Sequence, residues 1–568
     1  MAVKIRETEL VLSRRLEERS VEVTASGSLR LPSELPDAAT PIRWKALASV
    51  DRVVADAASG RLEARGTLRG WVVYAAAGSE SPDPAGAVFG GRLEGELPFT
   101  ASTDLPPDAG DAAWQARATV RDVEGRFRTD GRTADVDVVI SVRFAGVVRE
   151  RTTAVSQVSA TPPDRVETSS ATLRVSVFQG EGRARLALEE AHGLDLPAGP
   201  TSRLRVLDLQ VEPTITAAEP HDGGVLARGE LAFELLYAVQ RQAPAEGPPP
   251  GPSEASAPGT GEQPEVVAPV RLWDVHLASW TSPEGFETTI PIAGLEGTSR
   301  VRARAQLADA SVRTLPAEGL VYITCQVDVE AQAVDARTVP VVADIRSSGP
   351  QTVEQRKVPL RLESPAGEGR RTFTGGATVE LSGALPPVDR IVWSGVVVDA
   401  ISTRPEAGRV HVSASATPWA YYLPYKPDAR TNGVVFAFWP GAVNIEQVVA
   451  IPDLRPDAEI SASFTGLSVE ADLISRQTVE FTVSGQCLVE AQLPATQEVV
   501  AEAVAVRAPG PRQPSIYLVV TQPNDTLWKL ARRYRTTPQQ VQSANPDLGA
   551  REETEPLPAG SRLFIMGQ

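Results

Sequence analysis

Residues 60–74 read GRLEARGTLRGWVVY, and the pattern returns twice without a gap, as GGVLARGELAFELLY at 223–237 and as GRVHVSASATPWAYY at 408–422. Each copy opens on a glycine (Gly60, Gly223, Gly408) and carries a tyrosine fourteen positions later (Tyr74, Tyr237, Tyr422). Between those ends apolar and polar residues alternate, which is the period of a strand with one buried face. The tyrosines, with Trp71 and Trp419, recur with the pattern's own period. That favours a shared core position at the end of a strand over a carbohydrate platform. The copies lie 163 and 185 residues apart, so long loop insertions are needed between them.

A second element follows each copy. Residues 114–148, 301–334 and 460–493 each read as strand, turn, strand, rich in Val, Ile, Thr and Phe with turn residues midway. A third match joins the outer copies, where LRLPSELPD (29–37) and VELSGALPP (379–387) share Leu31/Leu381, Leu35/Leu385 and Pro36/Pro386. These recurrences predict a mainly β protein with three tandem β-rich repeats, at 1–155, 160–345 and 346–506. The best helix candidate among them is ARLALEEAHG (184–193), short and ending on a glycine. Residues 242–264 hold seven prolines, four glycines and no large apolar side chain, which predicts a disordered loop inside the second repeat. PDAGDAA (107–113) and KPDAR (426–430) read as shorter loops. A proline-rich linker, 507–514, leads to a small final domain, 515–568.

The totals exclude several functions. At 568 residues the chain has room for three or four domains, at about 150 residues each. With 56 Lys+Arg against 72 Asp+Glu the formal charge is −16, which opposes general nucleic-acid or anionic-membrane binding. None of the five lysines (Lys4, Lys45, Lys357, Lys426, Lys529) follows a glycine, so no phosphate-binding G-x-x-x-x-G-K-[ST] loop is present. Two cysteines and four histidines, all scattered, do not make a zinc site or a disulfide framework. The N-terminal stretch MAVKIRETELVLSRRLEERS is charged throughout, and no run approaches 18 apolar residues, so neither a secretory signal nor a spanning helix is expected.

The candidate reactive groups have plain structural readings. His192, His221, His276 and His411 have no partner close in sequence. Asp135 and Asp137 alternate with valine, as on the solvated face of a strand. Cys325 and Cys487 sit at comparable places in two repeats, as small buried core residues would.

The last fifty residues change character. SIYLVVTQ reads as a strand, and the helix that follows should be capped by Asp525 or Asn524, with an apolar stripe at Leu527, Leu530, Ala531 and Tyr534. A second helix should be capped by Thr536 or Thr537, with Pro538 in its first turn and an end at Asn545-Pro546. PLPAGSRLFIM returns as a turn and a strand, giving the order βααβ. Arg532, Arg533 and Arg535 make a local basic face, by default a solvated one.

Those residues resemble the LysM domain, through YLVV, DTLWKLARRY, TTPQQV, NPDL and LPAGSRLFI. The resemblance implies a shallow groove for N-acetylglucosamine polymers. Carried onto this sequence, the groove is Pro523, Asn524, Asp525, Thr526 and Leu527 facing Asn545, Pro546, Asp547 and Leu548. Asn524 stands where the family usually has glycine, AREETEPL (550–557) lengthens the neighbouring segment, and Trp528 is expected to pack beneath the groove.

Tandem β-rich repeats ahead of a LysM domain resemble the SPOCS-domain family, associated with the coat of bacterial endospores. The residues that carry this are LRLPSELPD, the strand ending in VVY, and the ELPFT, IPI and IPD segments (96–100, 290–292, 451–453). The resemblance implies a non-enzymatic scaffold or adaptor in the mother-cell cytoplasm at the forespore surface and spore coat, whose LysM region docks on the spore-coat morphogenetic ATPase. The alternative reading is a peptidoglycan-binding protein anchored to wall or cortex. An enzyme would need paired carboxylates, a Cys/His pair or a metal cluster, and the repeats offer none. No cofactor or metal is expected.

Overall fold

The computed structural model describes residues 3–78, 87–107, 109, 111–160, 165–194, 196, 203–242, 271–295, 297, 299–315, 318–348, 351–426, 433–507 and 516–566. The loop expected at 242–264 lies outside them from residue 243 on, as do nearly all of the linker (508–514) and residues 427–430 of the KPDAR loop.

Among these residues the protein is mainly β, with 24 strands in seven antiparallel sheets and two short helices. The first stretch holds β1 (Val3–Arg15), β2 (Arg19–Arg30), β3 (Ala38–Asp56), β4 (Arg61–Ala76), β5 (Val88–Arg92), β6 (Leu97–Asp104), β7 (Ala113–Phe127) and β8 (Thr133–Ala160). The second holds β9 (Arg165–Gly193), β10 (Leu204–His221), β11 (Gly224–Gln242), β12 (Arg271–Thr281), β13 (Phe286–Pro291), β14 (Arg300–Leu315) and β15 (Leu320–Ser348). The third holds β16 (Gln351–Glu380), β17 (Val388–Glu406), β18 (Arg409–Pro424), β19 (Val435–Phe438), β20 (Val443–Ala450), β21 (Glu459–Ser475) and β22 (Thr478–Arg507). The chain ends with β23 (Ile516–Val520), α1 (Leu527–Arg533), α2 (Pro538–Ala544) and β24 (Arg562–Met566).

Each sheet draws its strands from one stretch. The three quoted segments become β4, β11 and β18, each the centre of a four-stranded sheet: β3-β4-β5 with β6, β10-β11-β12 with β13, and β17-β18-β19 with β20. The second sheet of each stretch is built on the strand–turn–strand unit: β1-β8-β2 with β7, β14-β15-β9, and β16-β22-β21. Sheets of a pair face each other through β3 and β7, β10 and β14, or β17 and β21. In the first pair Leu62, Leu68, Val72 and Tyr74 of β4 meet Val136, Ile140, Val142 and Phe144 of β8 in one core. Alternation along both strands puts these side chains on a common face and leaves Asp135 and Asp137 exposed on the other.

The helix expected at 184–193 is the end of β9. Its residues pair with β15 from Ala184↔Val329 to His192↔Val321. Ala184, Leu186 and Leu188 pack on the core while Arg183, Arg185 and Ala187 are exposed, a period of two that helix propensity does not override.

Tyr74 and Tyr422 are buried two residues before the ends of β4 and β18, and Tyr237 is buried within β11, five residues before its end. The Tyr74 hydroxyl donates to Pro36 O at 2.7 Å and the Tyr422 hydroxyl to Pro386 O at 3.0 Å, so the leucine–proline turns are tied to β4 and β18. Burial raises both hydroxyls well above the usual tyrosine range. Tyr422→Phe should cost about 1 kcal/mol by stranding the Pro386 carbonyl, read as a lower urea-unfolding midpoint.

Three contacts close a ring: β5 against β10, β12 against β17, and β19 against β3. At the junction the register slips at the same place in three sheets, between Pro41/Arg43, Val206/Asp208 and Ile391/Trp393. The residue after each bulge, Arg43, Asp208 or Trp393, stands opposite Val73, Leu236 or Tyr421. These bulges re-aim one side chain per sheet into the shared centre. Asp208, fully buried, accepts from Lys45 Nζ (2.8 Å), Arg43 Nη1 (3.2 Å), the Tyr421 hydroxyl (2.8 Å) and the Leu209 amide (2.8 Å). The Arg43 guanidinium lies 4.4 Å from the Trp419 ring centre and 4.3 Å from that of Phe436. Burial lowers the Lys45 ammonium against the pull of Asp208.

Beyond the sandwiches the long strands continue as three two-stranded ribbons, formed by β1 with the end of β8, the start of β9 with the end of β15, and the start of β16 with the end of β22. Leu10, Leu12, Leu173, Val175, Val341, Leu360, Leu362 and Val499 bundle them around a second core.

Candidate functional site

The chain's final unit has its own core of Val519, Leu527, Leu530, Ala531, Val541, Leu557, Leu563 and Ile565. Helix α1 is capped by Thr526, whose hydroxyl accepts from the Lys529 amide, and not by Asp525 or Asn524. Both of those residues are committed to the preceding turn. Asn524 takes a left-handed φ of 66°, and the Asp525 carboxylate accepts from the Gln522 amide at 2.8 Å. Helix α2 has Thr537 as its cap in a full capping box with Gln540, and Pro538 follows it. A 3-10 turn at Pro546–Leu548 comes next, then the long loop to β24.

The nine expected groove residues divide by burial. Pro523, Asn524, Pro546 and Asp547 are exposed, Leu548 is half-buried, and Asp525, Thr526, Leu527 and Asn545 are buried. Leu527 belongs to the core, and the Asn545 amide ties α2 to β24 by donating to Val541 O (2.7 Å) and Phe564 O (2.6 Å) and accepting from the Phe564 amide (2.7 Å). The first loop is stitched to residues 553–557. Leu557 N donates to Asp525 O at 2.7 Å, Trp528 N donates to Glu553 O at 2.9 Å, and Thr526 bridges to Pro556. The lengthened acidic segment therefore forms the wall beside Pro523–Leu527, while the backbone bonds of Asn545–Gly549 close their own turn. An N-acetylated sugar would meet a rim of backbone groups and short side chains around Pro523 and Asn524.

Trp528 does not pack beneath this rim. It lies outside the unit's core, and its indole N–H donates to Asp344 Oδ2 on β15 at 2.6 Å. Arg532 Nη1 donates to Asp344 Oδ1 at 2.6 Å, so part of the basic face is spent on an internal contact. Gln355 (2.7 Å) and Lys357 (3.0 Å), both on β16, complete the shell of this carboxylate. Burial alone would raise the Asp344 carboxyl. The hydrogen bonds from Trp528, Lys357 and Gln355 and the Arg532 charge outweigh it and hold the group below the usual carboxylate range. The neighbouring Arg346 guanidinium lies 5.2 Å from the Trp528 ring centre and pairs with Glu167. Its burial lowers it to about 10, against the opposing charge of Glu553. Sequence reading missed these residues because nothing local marks Asp344 as a partner of a helix 184 positions away.

Elsewhere the reactive types serve packing. His192 stacks on Trp280 at 4.0 Å and His276 on Tyr237 at 5.6 Å, and His411 Nε2 faces Glu406 Oε2 at 3.2 Å. Cys325 and Cys487 are buried in β15 and β22, and burial pushes the Cys325 thiol up to about 11. Among the described residues no group of three or more His, Cys, Asp or Glu is placed to hold a metal, and no helix is long and apolar enough to cross a membrane. A cleft of about 120 Å³ between the first and second stretches contains Lys45, Arg69, Arg92 and Asp309, but these charges pair with Asp208, Glu96 and one another.

No curated protein and no solved structure matches the chain, and the comparisons lend no support to the SPOCS resemblance of the β-rich body. The C-terminal strand, capped helices and returning strand do match a family model, and residues 519–565 are a LysM domain.

Proposed function

We propose that the protein is a non-enzymatic anchor that binds N-acetylglucosamine polymers, of the peptidoglycan or chitin type, through its LysM domain. The observation that carries this reading is the match at 519–565 together with the rim at Pro523 and Asn524, which stays exposed in the full chain. We further propose that the body consists of three tandem repeats, a reading supported by the recurring sheet pairs and bulges. Such a body would act as a scaffold, and several weak sites on one assembly would add avidity to a shallow groove. The test is co-sedimentation of the full chain with insoluble chitin and with peptidoglycan. The wild type and Asn524→Gly, which suits the left-handed turn, should both be retained. Asn524→Trp, which crowds the rim, should lower retention at least about tenfold, and equal retention of both variants would overturn the site.

A second reading has one observation in its favour. Ile516, Leu518 and Val520 on β23 lie beside Phe564 and Met566 on β24, and all five are exposed. An apolar sheet face of this kind suits protein docking. With the SPOCS resemblance, the partner would be the spore-coat morphogenetic ATPase at the forespore surface. Silence on both glycans, with ATPase capture that Phe564→Ser abolishes, would favour this reading over the first.

A further inference from the structure

We propose that Asp344 is a positioning residue for the LysM groove, and that by clamping α1 onto the ribbon bundle it sets the affinity of that groove for its glycan. The proposal rests on the glycan reading of the groove. It starts from what the clamp touches. Trp528 and Arg532, one turn apart on α1, both donate to this carboxylate. The same Trp528 uses its backbone N–H to hold Glu553 O, the link between the first loop and the acidic wall. Arg346, two residues beyond Asp344, lies over the Trp528 ring and faces the Glu553 charge. The body therefore holds Trp528, the residue that follows the first loop and bonds the acidic wall, while Pro523 and Asn524 remain uncovered. An arrangement that fixes the walls and leaves the rim open pre-organises a site and does not block it, and pre-organisation raises affinity by lowering the ordering cost of binding.

The clamp is specific to one of three equivalent places. Each ribbon has a bulge near its end, and the residue after it is Gln157, Asp344 or Glu502. The positions matching Gln355 and Lys357 on the neighbouring ribbons are Ile5 and Glu7 in β1, and Thr168 and Ser170 in β9. Glu502 would thus share its junction with Glu7, and Gln157 carries no charge. At the second ribbon alone does a carboxylate meet a lysine and an amide that hold it ready for Trp528 and Arg532. An exposed ion pair with Arg356 occupies Glu502 instead.

The test follows the indole N–H resonance of Trp528 in the 15N-labelled full chain, assigned by its loss in Trp528→Phe, alongside the dissociation constant for the N-acetylglucosamine hexamer. The wild-type resonance should be displaced by the carboxylate. In Asp344→Ala it should move to the position of a solvent-exposed indole and affinity should fall about fivefold or more. Asp344→Asn, which keeps an acceptor for the indole but loses the charge, should fall between them. Glu502→Ala, at the equivalent but unoccupied place, should change neither reading. An unmoved Trp528 resonance in Asp344→Ala would overturn the clamp. A moved resonance with unchanged hexamer affinity would overturn its coupling to the groove. If the wild type binds no hexamer at all, the glycan reading and the coupling fall together, while the resonance still decides whether the clamp exists.

Discussion

Asp208→Ala should destabilise the protein by about 3–5 kcal/mol, because it removes the fully buried carboxylate that pairs with two half-buried cations, Arg43 and Lys45. Lys45 and Arg43 come from β3, Asp208 from β10 and the Tyr421 hydroxyl from β18, so the loss falls on the junction of all three stretches. Burial already depresses the Lys45 ammonium with Asp208 in place. Without that carboxylate the desolvated Lys45 ammonium loses its ion pair, and the three stretches lose the acceptor they share. Adding Lys45→Met to the variant should recover part of the loss, since a buried ion removed together with its partner costs less than a partner removed alone. Urea unfolding followed by tryptophan fluorescence is the measurement, and a single variant within 1 kcal/mol of wild type would show that the network does not hold the junction.

Gly90→Val should be comparably severe, at about 4 kcal/mol. Gly90 is buried on β5, where the first stretch meets β10 of the second, and a Cβ there would stand 1.6 Å from Leu207 O. The obstacle is backbone, so relief requires the two sheets to part. Its neighbour provides the control. A Cβ on Gly91 would meet only the tip of the Leu35 side chain at 2.4 Å, which can rotate aside, so Gly91→Ala should cost about 1 kcal/mol. Thermal unfolding of the two variants should separate them clearly, and equal midpoints would mean that the β5–β10 contact is not rigid.

Much of the local structure is legible in the sequence. Period-two alternation in GRLEARGTLRGWVVY and its two copies identified three central strands, and the burial along β4, β11 and β18 follows it. The turn prolines Pro36 and Pro386 were matched by sequence, and the structure adds that each accepts from the aligned tyrosine. At 184–193 the terminal Gly193 suggests a helix end, but the segment alternates with a period of two and is the end of β9. A strand that is held on one side by β15 needs only the period. In the LysM domain the helices were correctly placed, but the first cap shifted to Thr526 because Asp525 was already held by the turn before it.

The candidate site was half legible. Of its first loop only Pro523 and Asn524 are exposed and Asp525, Thr526 and Leu527 are buried, whereas Asn545 serves the hinge between α2 and β24, and the wall beside the loop is the acidic segment 553–557. By itself the sequence determined what depends on near neighbours: strand period, the recurring pattern, and the two short helices with the capping threonine ahead of Pro538. The tertiary structure alone decided which distant groups meet. Asp208 gathers cations from another stretch, and Asp344 takes Trp528 from 184 residues away. A buried charge is stable only beside its partners, and those partners are chosen by how sheets and ribbons pack, which no short-range pattern records.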